Sequence, residues 1–110
     1  MITSINCNVN SEDPIEIPYT VIISGTVIRL NMQKLDSVIV IFSNPYITDT
    51  TDTSGQFSIN FNSSEEKNVT ARINFKRNLF YDTTMTVIYG PTIKLINFGE
   101  IKMASTVKYD

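Results

Sequence analysis

Isoleucine, valine and threonine fill 16, 8 and 13 of the 110 positions, so 37 side chains are branched at Cβ, against only 6 alanines and leucines together. Cβ-branched side chains lose rotamer freedom on a helix and pack well on a pleated surface, whereas the strongest helix formers are nearly missing. No window places apolar residues at i, i+3, i+4 and i+7 over helical length. Sheets are then the only way to bury apolar surface, and we expect an all-β protein. With 42% apolar and 18% charged residues the composition is that of an ordinary folded domain. A chain of this length makes one domain and removes roughly 60–70% of its unfolded surface from water.

Turn chemistry divides the chain. Residues 1–18 read as an N-terminal arm, with Ile5-Asn6-Cys7-Asn8-Val9 alternating, a turn at Ser11-Glu12-Asp13-Pro14, and Ile15-Glu16-Ile17 before Pro18. Residues 19–110 read as a β-sandwich domain. Tyr19 to Leu30 is its first long strand, and Gly25 within it signals a bulge or a close backbone approach. Val38-Ile39-Val40-Ile41-Phe42 is an unbroken apolar run, expected to be a central strand buried on both faces or nearly so. Asn44-Pro45 ends it, and Ile47-Thr48-Asp49-Thr50 has the short polar character of an edge strand.

Asp52-Thr53-Ser54-Gly55 carries Asp at its first and Gly at its fourth position, the signature of a type I hairpin turn. Phe57, Ile59 and Phe61 then alternate with polar residues, as do Val69, Ala71, Ile73 and Phe75. Asn62 to Lys67 is a solvated loop. After the connection Arg77 to Thr83, Met85 to Tyr89 and an interrupted stretch from Thr92 to Met103 complete about seven strands, the pattern of a Greek-key sandwich. With no helix available for a crossover, every strand pair is expected to be antiparallel.

Several function classes are excluded. The chain has no histidine and a single cysteine, Cys7. Structural zinc takes about four His or Cys ligands, so one chain cannot build it. Ser-His-Asp and Cys-His catalysis are equally closed, and no internal disulfide forms. We read Cys7 as a half-buried strand residue. The net charge of −2 lacks the basic footprint of a nucleic-acid binder or a polybasic membrane patch. The start has no basic region followed by an apolar core, so no signal peptide is expected, and no stretch approaches the roughly 18 apolar residues of a membrane span. Met1 reads as a native start.

Ser24-Gly25-Thr26-Val27, Val38-Ile39-Val40-Ile41 and Thr51-Asp52-Thr53-Ser54-Gly55-Gln56-Phe57, with the closing Phe98-Gly99-Glu100-Ile101-Lys102-Met103, resemble the carboxypeptidase-regulatory-like, transthyretin-like (Ig-like) sandwich family over roughly residues 20–103. The resemblance implies a Greek-key sandwich. It implies no active site, since members serve as accessory domains, surface modules, carriers and parts of assemblies.

No residue set stands out as catalytic, cofactor-binding or metal-ligating. Asp49 and Asp52 are spaced D-x-x-D-x-x-G and lack the alternating acids of a calcium loop, so Asp52 is read as a turn cap. Asn62-Ser63-Ser64 and Asn68-Val69-Thr70 fit the glycosylation pattern no more often than 11 Asn and 23 Ser plus Thr predict by chance. Glu65 and Glu66 share a polar loop with Lys67 and are read as solvated.

Two apolar features remain. Leu79, Phe80 and Tyr81 are three consecutive large side chains in a connection: a contact patch, or a plug for the sandwich end. In the arm, Ile2, Ile5, Ile15 and Ile17 are too apolar for an idle tail and suit strand pairing, either with the chain's own sheet or with a neighbour's. The C-terminal Ala104 to Asp110 is read the same way. These features suggest a non-enzymatic structural protein that contacts itself or a lattice of other proteins. The concrete expectation is a bacteriophage virion component made in the cytoplasm, either a capsid-decorating or auxiliary protein or a tail or fibre part. The alternative is a carbohydrate- or protein-binding surface module of a secreted bacterial protein. Neither nucleic acid nor membrane is expected as a partner.

Overall fold

The computed structural model describes residues 18–107. Seven strands form: β1 (Tyr19–Arg29), β2 (Ile39–Ser43), β3 (Tyr46–Thr50), β4 (Gln56–Ser63), β5 (Val69–Lys76), β6 (Thr83–Tyr89) and β7 (Leu95–Met103). They make a three-stranded sheet in the order β4-β1-β7 and a four-stranded sheet in the order β3-β2-β5-β6. The chain is all-β among the described residues, a two-layer sandwich. None of those residues lies in a helix long and apolar enough to cross a membrane.

Alternation sets the layers. In β4 and β5 the residues Phe57, Ile59, Ala71, Ile73 and Phe75 turn inward and are buried, while their neighbours face water. Aromatic rings bridge the sheets: Phe42 stacks on Phe61 at 5.4 Å between centroids, Phe61 meets Tyr89 edge-on at 5.0 Å, and Phe57 meets Phe75 edge-on at 5.4 Å. Such offset and edge contacts add about 0.5–1.5 kcal/mol each beyond burial.

Three expectations need correction. The run Val38 to Phe42 is half-buried: Val38, Val40 and Phe42 are fully enclosed, but Ile39 is 48% exposed and Ile41 is only partly covered. A two-layer sandwich covers one face of each sheet, so a central strand still has a wet side. Next, β1 pairs with β7 in parallel, Ile22 opposite Leu95 through Arg29 opposite Met103. A parallel pair needs a long connection between its strands but not a helical one. Here β2 to β6 provide the return path, most of it through the other sheet. Finally, Asp52 to Gly55 forms the expected turn, with the Gly55 amide donating to the Asp52 carbonyl at 2.9 Å. It joins β3 to β4, however, which lie in different sheets. The turn is a corner between layers and not a hairpin.

Two glycines fit this geometry. Gly55 has φ +75°, and a Cβ there would lie 2.5 Å from the Val27 carbonyl oxygen. Gly25 lies under the Phe57 ring and beside the Gly99 carbonyl, where a Cβ would approach to 3.0 and 3.3 Å. Opposite it, β7 advances from Asn97 to Glu100 while β1 advances only from Ser24 to Thr26. The close approach is therefore at Gly25 and the extra residue is on β7, which runs through Asn97-Phe98-Gly99 as one strand with a bulge.

The sandwich has two poles. One gathers the ends of β1, β5 and β7 with the starts of β2 and β6; the other holds Tyr19, the Asn44-Pro45 turn (a cis peptide), Tyr89 and residues 64–68.

Candidate functional site

Phe80 fills the first pole. It is buried, 7% exposed, and the guanidinium carbons of Arg29 and Arg77 lie 5.1 and 5.4 Å from its ring centre. Each such cation–π contact contributes about 0.5–2 kcal/mol, more as water is excluded. Arg77 is itself fixed: its Nε donates to the Asp36 carbonyl at 2.6 Å and its Nη2 lies 3.3 Å from Asp36 Oδ1. Of the two readings of this stretch, the plug describes Phe80. Leu79 and Tyr81, on either side of it, point outward at 57% and 60% exposure.

The segment after β7 straps this loop down. Phe80 bridges to Ser105, and the Tyr81 amide donates to the Ala104 carbonyl at 2.9 Å. The Leu79 carbonyl accepts from the Thr106 amide at 2.8 Å, the Thr106 hydroxyl at 3.0 Å and the Ser105 hydroxyl at 3.3 Å. Residues 104–107 thus pair with the chain's own loop. Held this way, Leu79 has φ 70°. A left-handed backbone costs a bulky L-residue about 1–2 kcal/mol, and Leu79, more than half exposed, recovers little of it by burial.

Met32 repeats the pattern. It follows Arg29 in a turn closed by its own amide donating to the Arg29 carbonyl at 2.9 Å, has φ 75°, and is exposed. Leu30 and Val107 are exposed at the same pole. The sequence reading missed Leu30 and Met32, whereas Val107 belongs to the C-terminal segment read as suited to strand pairing. A methionine between Asn31 and Gln33 in a polar turn was the available signal. That they share a pole with Leu79 and Tyr81 depends on pairings between distant segments.

Ile2, Ile5, Ile15 and Ile17, with Cys7, lie outside the described residues. Glu65 and Glu66 stay exposed, and the Tyr19 hydroxyl donates to the Glu65 carbonyl at 2.7 Å.

A second feature is an open cleft of about 530 Å³ on the seam between the sheets, lined by Ser24, Thr26, Asp49, Asp52, Gln56, Ser58 and Asn97 among others. Its carboxylates serve the backbone. Asp52 Oδ1 accepts from the Ser54 and Gln56 amides at 2.9 and 3.0 Å, the capping role expected of it. Asp49 Oδ2 accepts from the Ser58 amide on β4 at 2.9 Å, linking the two sheets. Beneath it, buried Thr51 accepts from the Val38 amide and donates to the Leu35 carbonyl, at 2.9 and 2.8 Å.

At the opposite pole the Tyr89 hydroxyl donates to the Asn44 carbonyl at 3.1 Å. Burial raises its pKa above the ordinary tyrosine value, and the Glu65 and Tyr19 charges push the same way.

No family model matches the chain, and no curated protein matches it. Among solved structures it is similar to 3-chlorocatechol 1,2-dioxygenase from Rhodococcus opacus 1CP, with a TM-score of 0.61 and 10% identity, over 84% of this chain and 62% of the dioxygenase chain. The chain thus spans under two thirds of that neighbour's length, and at this identity the likeness is one of fold alone.

Proposed function

We propose that the chain is a non-enzymatic structural protein that docks through the Phe80 pole onto other proteins of a larger assembly. The observation that carries this reading is Leu79: an exposed leucine held in a left-handed backbone by three hydrogen bonds to its carbonyl. Strain that brings the fold little buried surface points to a side chain placed for something outside the fold. Met32 has the same conformation at the same pole, and Tyr81 adds an aromatic of the kind that anchors protein interfaces. The concrete form we adopt is a bacteriophage virion component, capsid-decorating or auxiliary, or part of a tail or fibre. It draws on the transthyretin-like sequence resemblance and on the composition.

The test is incorporation into assembled particles, read by sedimentation and mass. A Met32→Ser/Leu79→Ser/Tyr81→Ser variant should keep its far-UV spectrum and melting temperature yet be lost from the particle. Incorporation equal to wild type would sink the reading.

The seam cleft favours a second reading, a carbohydrate-binding surface module, because hydroxyl, amide and carboxylate groups converge there. It expects a monomer that titrates with soluble oligosaccharides and loses binding in Thr26→Ala/Gln56→Ala. Absence of any heat or shift across a glycan panel would count against it.

A further inference from the structure

A sheet edge presents a row of backbone groups that templates another strand, and folds guard such edges with charge, proline, bulges or inward-pointing acids. This sandwich has four outer strands, β3, β4, β6 and β7. Three are guarded. β3 is only five residues long, begins directly after Pro45 and turns Asp49 toward the seam. β4 has its Ser58 amide taken by that same Asp49. β7 carries Glu100 and Lys102 and is broken in register beside Gly99.

β6 is different. Thr83-Thr84-Met85-Thr86-Val87-Ile88-Tyr89 contains no charge, proline or glycine, and six of its seven residues are Cβ-branched or aromatic. It pairs in unbroken register with β5 along its whole length, so its outer edge is straight, and no described strand covers it.

We infer that the β6 edge is where a second copy of this chain pairs, antiparallel about a two-fold axis at Thr86, joining two four-stranded sheets into one of eight strands. The register follows from the strand itself. Centred on Thr86, it sets Thr84 against Ile88 twice and Thr86 against Thr86 on the outer face, and Met85 against Val87 on the inner face. Every pair matches outward with outward and inward with inward, which a one-residue slip would invert. An isologous interface requires this kind of self-complementarity. Charge permits it as well. The nearest outward cation, Arg72 opposite Thr86, lies one strand back. Its copy across the axis is then three strand spacings away, about 14 Å, beyond the roughly 8 Å Debye length at physiological salt. The site is separate from the Phe80 pole, and either proposal can fail without the other.

The experiment is light scattering coupled to size exclusion on the full chain over a wide concentration range. Wild type should dimerise. Thr84→Lys/Ile88→Lys puts lysine against lysine twice and should raise the dissociation constant at least tenfold. Thr84→Glu/Ile88→Lys loses the same Thr84–Asn74 hydrogen bond but opposes unlike charges, and should restore the dimer. Far-UV spectra check that each variant folds. A dimer indifferent to both variants overturns the proposal. So does a wild type that is monomeric at every concentration, including the case in which residues 1–17 of the same chain occupy the edge.

Discussion

At one end of the sandwich a phenyl ring is gripped between two guanidinium groups; at the other, two tyrosines reach back to main-chain carbonyls. Both arrangements close the core. They differ in the backbone beneath the apolar side chains they leave outside. Around Phe80 the exposed side chains include Leu79 and Tyr81 on the loop and Leu30, Met32 and Val107 at the same pole, set among polar neighbours such as Asn31, Gln33 and Asn78, and two of the apolar ones sit on left-handed backbone. Around Tyr89 the closing groups are hydroxyls, the adjacent loop is Ser64-Glu65-Glu66-Lys67, and the exposed apolar side chains Tyr46, Ile93 and Leu95 all sit on ordinary backbone. Enclosure of the core does not require exposed strained leucine, as the tyrosine end demonstrates. The left-handed backbone under Leu79 and Met32 is what sets the Phe80 end apart.

The contrast predicts unequal costs. Phe80→Ala should destabilise the fold most, by about 3–5 kcal/mol, because it opens a cavity and removes the ring between Arg29 and Arg77. Urea unfolding measures this, and a loss below about 1 kcal/mol would mean that Phe80 does not close its pole. Gly55→Ala, at the corner beneath the same pole, should cost about 1–3 kcal/mol from left-handed strain, with added crowding against the Val27 carbonyl.

Tyr89→Phe should cost about 0.5–1.5 kcal/mol through one lost hydrogen bond. It carries a pH signature as well. Because the folded state raises the Tyr89 pKa, its contribution is complete below the unfolded value of about 10 and disappears as pH rises through the higher folded one. Wild type should therefore lose stability on the alkaline side more steeply than Tyr89→Phe in denaturant titrations at several pH values. Parallel curves would remove Tyr89 from the account of that pole.

The smallest effect has the opposite sign. Leu79→Asn should gain up to about 1 kcal/mol, since asparagine tolerates the left-handed region and little buried surface is lost. Docking should fall in the same variant. Stability and docking moving together would break the distinction between the poles.

The alternating strands β4 and β5, the edge strand β3 and the capped corner at Asp52 were legible because each rests on local chemistry: a period of two, short polar composition, an Asp with a Gly three residues on. The wet face of Ile39 was not, since an apolar run reads the same whether its second face is covered or open. The β1–β7 pairing and the placing of Leu30, Met32 and Val107 at the same pole as Leu79 join segments tens of residues apart, and no window along the chain contains both partners. The same holds for Asp49, whose service to the Ser58 amide depends on two sheets meeting.

The parallel clasp of β1 with β7 has a mechanical consequence. A pull entering ahead of Tyr19 and leaving after Met103 acts on opposite ends of two side-by-side strands. The hydrogen bonds between them lie across the direction of force and are loaded together, in shear, where a hairpin pulled at its open end would unzip one bond at a time. A domain tethered at both sides is in this way held by a seam loaded along its whole length.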